Sequence, residues 1–322
     1  MNKDENLIYI LKFHTCPVNS LAVSNDNSLL LSSSSQFVDY YDRIVFSDNK
    51  ICLWNLKTGK KINAWNAHDF EYNESGKIFV NFFNNNYAIS TGPDSKIKIW
   101  DLKKFKEKIV YSTNEHKIES MKLLKTKLLL ITGGNYRDKS IRLWNLNNGN
   151  CLTILNNHKW SVDSVDITHN ANNAVSSSNL HDEKPITIWD LHKEKNINSF
   201  GNKEMRITKV KFLTKKYIIS SGEDKIIRIW NIDTGKIIRF FKGHEGYPTC
   251  FKEFSNKKTF ISGNNSIIKN QENHVYFWNI AKGELKNKTF IHESGINTLE
   301  ISPDNKKIIT GCNNGNIYVW KK

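Results

Sequence analysis

Residues 207–242 show the pattern that the rest of the chain repeats. ITKVKFL alternates apolar and polar positions. KKYIISS, KIIRIWNI and, after the turn Asp233-Thr234-Gly235, KIIRFFK follow it. Runs of about six residues, enriched in β-branched and aromatic side chains and separated by Gly, Asn and Asp, predict strands. Strands of that length recurring about every ten residues predict an all-β fold. No stretch keeps a helical period between caps.

Seven tryptophans share one local context: CLWNL at Trp54, KIWDL at Trp100, RLWNL at Trp144, TIWDL at Trp189, RIWNI at Trp230, YFWNI at Trp278 and YVWKK at Trp320. They stand 46, 44, 45, 41, 48 and 42 residues apart. Such intervals fit a repeated unit of roughly 40–45 residues. Only Trp65 and Trp160 lie outside the register. Three companions recur with the indole. Asp48, Asp94, Asp138 and Asp224 each precede it by six residues. A hydroxyl closes the preceding predicted strand at Ser32, Ser90, Thr132, Ser176, Ser220, Ser262 and Thr310. His14, His68, His116, His158, His244 and His292 open most units.

An indole N–H only donates, a hydroxyl and an imidazole do both, and a carboxylate accepts. The four residue types therefore suit one buried chain of hydrogen bonds from Trp through Ser or Thr and His to Asp. Such a chain rigidifies its surroundings when fully satisfied and costs stability when half satisfied. Its recurrence suits architecture, because a catalytic Ser-His-Asp triad would be unique.

In these motifs, over essentially its whole length, the sequence resembles the WD-repeat family. The resemblance implies a closed seven-bladed β-propeller of four-stranded antiparallel blades. In it, the Trp–Ser/Thr–His–Asp tetrad ties the loops at one end of each blade to its third strand. Complete sets are His14, Ser32, Asp48 and Trp54; His68, Ser90, Asp94 and Trp100; and His116, Thr132, Asp138 and Trp144. The fourth repeat offers Asp182 or Glu183, the sixth Glu272 and the seventh Asn314, while the fifth has Asn202 and Lys203 in place of a His. The fifth and seventh blades are therefore expected to rely mainly on apolar packing. The last repeat holds three predicted strands, and LIYILKF near the start supplies another. In the family an N-terminal strand completes the last blade, removing two edges open to aggregation. A single domain over residues 1–322 is the expectation.

Net charge is +15, with an isoelectric point near 9.4. Such a balance attracts nucleic acid, anionic lipid or acidic proteins, and a coding bias toward Asn, Lys and Ile is the expected source of part of it. Five scattered cysteines without a C-x-x-C pair fit free thiols in a reducing compartment. No apolar run approaches the roughly 18–20 residues of a membrane helix. The start MNKDENLIYILKF does not read as a secretory leader. A cytoplasmic or nuclear protein without membrane insertion is expected.

By the resemblance, the loops before the first strand and between the second and third share the top of a propeller, and the remaining turns share the bottom. The long insertions fall largely on the top: SSSQFVDYYDRIVFS in the first repeat, GGNYR in the third, SSNLHDEK in the fourth and GNNSIIKNQEN in the sixth. The first holds Phe37, Tyr40, Tyr41, Arg43 and Phe46. Phe70, Tyr136, Arg137, Trp160, Arg206 and Tyr247 are further top candidates. Aromatics and Arg are enriched in binding hot spots. The alternative for the first insertion is a β-hairpin packed on its own blade. The bottom is predicted to carry Lys57, Lys60, Lys61, Lys103, Lys104, Lys106, Lys215, Lys216, Lys257, Lys258, Lys306 and Lys307. This basic set suits RNA or an acidic protein segment, with few aromatics to stack bases.

No Walker loop, G-x-G-x-x-G turn, H-E-x-x-H helix or G-x-S-x-G elbow occurs. Histidines at blade spacing do not indicate a metal cluster. The expected function is a non-catalytic scaffold, without cofactor, metal or small-molecule substrate. It would bind protein partners through its top loops as a monomeric ring within a larger assembly. The alternative is an RNA-associated factor acting through the basic bottom.

Overall fold

The computed structural model describes residues 5–35, 37–39, 44–46, 48–69, 76–114, 116–178, 180–265 and 273–322. These form seven four-stranded antiparallel sheets, the blades of a β-propeller. Blades 1 to 6 span residues 18–66, 79–112, 118–155, 164–200, 207–241 and 247–292. Blade 7 spans residues 296–321 and is completed by Leu7–Leu11, which pairs antiparallel with Ile317–Lys321. Among the described residues there is no α-helix, only 3₁₀ turns at Lys125–Lys127 and Lys203–Met205, and no helix is long and apolar enough to cross a membrane. Two compact units divide the chain. One, residues 1–111 and 249–322, holds blades 6, 7, 1 and 2. The other, residues 112–248, holds blades 3, 4 and 5.

Burial follows strand position within a blade. Second and third strands are buried almost throughout, as in Leu29–Ser34 and Lys50–Asn55 of blade 1. This is what a continuous apolar run indicates. Fourth strands alternate: in Cys151–Leu155, Leu152 and Ile154 are exposed while Thr153 and Leu155 are buried. Blade faces meet in shared cores. Leu31, Ile51 and Leu53 of blade 1 pack with Val80, Phe82 and Trp100 of blade 2. Leu143 of blade 3 packs with Val165 and Trp189 of blade 4. Each fully buried side chain of this kind contributes roughly 1.5–3 kcal/mol.

Two devices repeat. In blades 1, 3, 4, 5 and 6 the pairing of third and fourth strands shifts register immediately before the Trp, a bulge that bends the strand and adds twist. Inner strands are also laced by hydroxyls. Ser20 Oγ donates to the Val80 carbonyl at 3.2 Å, Ser120 Oγ to Val162 at 2.7 Å and Ser164 Oγ to Val210 at 3.2 Å.

In blades 1 to 6 the residue after the Trp organises the following turn. Asn55 Oδ1 accepts from the backbone N–H of Lys57 and Thr58, and Asp101 and Asp190 accept equivalently from Lys103 and Lys104 and from His192 and Lys193. Such side-chain turns favour Asn and Asp, which is the physical content of the W-N and W-D dipeptides. Five residues after the Trp the backbone is left-handed at Gly59, Phe105, Gly149, Glu194, Gly235 and Gly283. Glycine relieves that conformation in four of the six blades.

The first strand does more than fill an edge. Leu11 is buried with Ile309, Ile317 and Val319. The Tyr9 hydroxyl donates to the Lys57 carbonyl, and the Tyr9 ring occupies the space a side chain at Gly59 would need. Deleting residues 1–12 should lower the melting temperature by on the order of 5–10 °C and promote aggregation through the bared Ile317–Lys321 edge. Calorimetry and light scattering check this; an unchanged melt would contradict it.

Candidate functional site

The candidate site is built on the hydrogen-bond relay that fixes the lead-in loops. In blade 1, Trp54 Nε1 donates to Ser32 Oγ at 2.9 Å, Ser32 lies 2.8 Å from His14 Nε2, and His14 Nδ1 lies 2.8 Å from Asp48. A carboxylate can only accept, so Nδ1 carries the proton and Nε2 accepts from the hydroxyl. Asp48 also accepts from the backbone N–H of Thr15. Blade 2 repeats the relay through Trp100, Ser90, His68 and Asp94 at 2.8, 2.7 and 2.7 Å. Blade 3 uses Trp144, Thr132, His116 and Asp138, with Trp144 and His116 each 2.9 Å from the Thr132 hydroxyl and Asp138 accepting from His116. In blade 4 the acid is Asp182, not Glu183: it lies 2.6 Å from His158 and accepts from the Lys159 N–H at 2.8 Å.

The remaining blades vary the theme. Blade 5, which lacks the His, keeps the Trp230–Ser220 bond at 2.8 Å and gives Asp224 to Arg228, two residues before the Trp, through both guanidinium NH groups. Its apolar share is the cluster of Phe200, Ile207, Val210, Ile218 and Trp230. In blade 7 the His292 Nδ1–H donates to the Phe290 carbonyl at 2.6 Å, Nε2 meets Thr310, and Tyr318 and Phe290 stack on Trp320. Blade 6 keeps Trp278 on Ser262 at 2.7 Å, with Tyr276 stacked on the indole. Glu272 lies outside the described residues.

The position two before the Trp went unnoticed in the sequence. Lys98 and Arg142 there reach the relay acids: Lys98 Nζ is 3.8 Å from Asp94 and 2.7 Å from Glu107, and Arg142 is 3.1 Å from Asp138. In each case the Asp lies in the turn before the third strand and the cation, four residues later, lies on the strand itself.

Burial and partners set the titration of these groups. Burial pushes His68 and His116 down, only partly offset by their carboxylates. His244 is pushed down to about 3 by burial alone, and His292 to about 4, against the opposing bond to the Phe290 carbonyl. Asp138 shows the opposite balance. Burial disfavours its charge, but bonds from His116 and Ser140 and the charge of Arg142 outweigh it and hold the acid at about 2.

The loops fixed by the relay carry the remaining candidates. Tyr136 and Arg137 lie between the second and third strands of blade 3, and Trp160 precedes the first strand of blade 4. The structure brings all three together. The rings of Tyr136 and Trp160 stack, 5.6 Å between centroids at 26°. Trp160 meets His181 at 4.8 Å, and the Arg137 guanidinium lies 5.6 Å over Tyr136 with Nε donating to its hydroxyl at 3.2 Å. Tyr136, Arg137 and His181 are exposed and Trp160 is half-buried. His181 was missed in the sequence; its backbone is left-handed, at φ +62°.

Other candidates stay apart from this cluster. Arg206 pairs with Glu223 at 2.8 Å. Tyr247 is half-buried at the start of the inner strand Tyr247–Glu253. In the first insertion, Phe37–Asp39 and Ile44–Phe46 form a two-stranded antiparallel ladder with Phe37 opposite Phe46. Phe70, Tyr40, Tyr41 and Arg43 lie outside the described residues. Of the basic set, Lys57, Lys60, Lys103, Lys104, Lys106, Lys215, Lys216, Lys257, Lys258 and Lys306 are exposed at or beside turns. Lys61 differs: its ammonium sits 4.0 Å over the Phe13 ring. Lys307 is half-buried and donates to the Leu56 carbonyl at 3.2 Å. Among the described residues no three His, Cys, Asp or Glu side chains gather to hold a metal.

Two predictions follow from the relay geometry. Ser90→Ala strands both the Trp100 indole and His68 Nε2, whereas Ser220→Ala strands only the Trp230 indole. Each abandoned buried group costs roughly 1–3 kcal/mol, so Ser90→Ala should be the more destabilising in urea; equal losses would contradict the relay. For pH, the folded values of His244 and His292 lie below the unfolded imidazole value near 6.5. The unfolded chain therefore takes up protons first as pH falls. Stability should be full above about pH 6.5 and decline toward about pH 4, by on the order of 1.4 kcal/mol per unit for each His. Equal unfolding free energies at pH 7 and 5 would contradict this.

The profile of the family described as WD domain, G-beta repeat matches residues 5–55, 183–231 and 284–321. Among curated relatives, human apoptotic protease-activating factor 1 is 23% identical over 242 residues, covering 72% of this chain and 18% of that protein. A CCR4-associated factor 4 homolog of Vanderwaltozyma polyspora is 26% identical over 223 residues, covering 64% and 29%. A p21-activated protein kinase-interacting protein 1-like protein of Xenopus laevis is 25% identical over 234 residues, covering 72% and 56%. The chain thus spans less than two thirds of the length of each. Three matched segments, seven blades and one indole per blade together make this chain a member of the WD-repeat β-propeller family.

Proposed function

We propose that the chain is a non-catalytic scaffold that docks protein partners through the loops at the lead-in ends of its blades. The observation that carries this reading is the Tyr136–Trp160 stack with Arg137. It is an exposed aromatic cluster built of the three residue types most enriched in binding hot spots, standing on loops anchored by buried relays. Loops on a rigid scaffold suit recognition because they vary while the frame holds. Two relatives bear names that record association with another protein, CCR4 in one case and a p21-activated protein kinase in the other. The first insertion, with Tyr40, Tyr41 and Arg43, belongs to the same proposed surface.

RNA binding through the turn lysines is the second reading. It is supported by the exposure of Lys103, Lys104, Lys215, Lys216, Lys257 and Lys258. It would give affinity that falls steeply with salt.

Affinity purification with mass spectrometry separates these. Tyr136→Ser with Trp160→Ala should lose the captured proteins while the melting temperature of Tyr136→Ser alone stays within about 2 °C. Unchanged capture would reject the cluster. Capture abolished by ribonuclease would favour RNA.

A further inference from the structure

The stack on blades 3 and 4 is surrounded by groups that donate and is poor in free acceptors. Lys159 and Lys184 are exposed, and neither is joined to a carboxylate among the described residues. The acids of the same loops are engaged. Asp138 accepts from His116 and Arg142, Asp182 from His158 and the Lys159 N–H, and Glu183 pairs with Lys203 at 3.4 Å. Asp163 is engaged as well. The Trp160 indole N–H has no acceptor among the described residues, and the Tyr136 hydroxyl already accepts from Arg137, which leaves its proton to donate. The complement of such a ledge is a group that only accepts, and a negative one.

Ring geometry decides between a carboxylate-bearing peptide and a nucleic acid. A base needs an open ring face on which to stack. Here Tyr136 and Trp160 cover each other, Arg137 lies over Tyr136, and His181 packs against Trp160 at 57°. The mutual stack closes one face of Tyr136 and one of Trp160, and donors and cations dominate what the ledge offers. We propose that this ledge docks an acidic segment of a partner protein. Lys159 and Lys184 receive its carboxylates, and the edges of Tyr136, Trp160 and His181 pack against its apolar side chains. The assignment rests on the protein-docking reading above and names the partner's chemistry.

Three fluorescein-labelled twelve-residue peptides test it on the full chain: one alternating Glu with Ser and Leu, one with Gln for every Glu, and one with Lys for every Glu. A twelve-nucleotide oligouridylate is the fourth probe. The acidic peptide is expected to bind, and its affinity should fall roughly tenfold in Lys159→Glu with Lys184→Glu. It should fall similarly in Trp160→Ala, with Tyr136→Ser as the variant safe for folding. Acidic binding indifferent to all these variants overturns the proposal, because the probe then binds elsewhere on a basic protein. Gln or Lys peptides that bind as well, and depend on Trp160, overturn the acidic assignment while leaving peptide docking standing. Oligouridylate binding that depends on Trp160, without peptide binding, overturns both. Silence from every probe also overturns the assignment, and the capture experiment then reports separately on protein docking.

Discussion

A directional chain of hydrogen bonds governs this structure: indole to hydroxyl, hydroxyl to imidazole, imidazole to carboxylate. Each step hands one proton donor to one acceptor, so the neutral tautomer of the histidine follows from its two neighbours. In blades 1 to 4 the chain begins at a Trp on the third strand and ends at an acid, which in blades 1, 2 and 4 also accepts from lead-in backbone. Loops that would otherwise move over the surface are thereby tied to the buried middle of a sheet. The stack of Tyr136, Trp160 and His181 stands on loops of blades 3 and 4, both of which carry the complete relay.

Where the relay is incomplete, another interaction takes its place. Arg228 assumes the acid of blade 5, where no His is available. Tyr276 and Tyr318 stack on their indoles in blades 6 and 7, at the sequence position where blades 2, 3 and 5 carry a cation. A charged pair and an aromatic pair are alternative ways of filling the same slot two residues before the Trp. The apolar packing expected for blades 5 and 7 is present, yet each retains the Trp-to-hydroxyl bond. Blade 5 loses the imidazole and keeps the acid, whereas blade 7 keeps the imidazole and replaces the acid by the Phe290 carbonyl.

Much of the fold was legible because the features that specify it are local and periodic. The indole, the hydroxyl and the strand pattern recur at fixed offsets, and the final pairing of Leu7–Leu11 with Ile317–Lys321 follows from counting strands. The cations Lys98, Arg142 and Arg228 were not legible. On a strand they read as ordinary polar positions, and their reach to an acid depends on the tight turn between. Phe105 and Glu194 likewise gave no sign that they occupy the left-handed position held by glycine elsewhere. Tyr136, Arg137 and Trp160 were legible as candidates by residue type, but their assembly was not. It joins three loops separated in sequence and depends on His181, which resembles any polar loop residue until its ring is found against Trp160.

The most direct measurement is the protonation pattern of the relay imidazoles. Nitrogen-15 chemical shifts of His14, His68, His116 and His158 side chains at neutral pH report which ring nitrogen bears hydrogen. The relay requires a proton on Nδ1, facing Asp48, Asp94, Asp138 and Asp182, and a bare Nε2 accepting from the hydroxyl. A proton on Nε2, or rapid averaging between the two nitrogens, would contradict it.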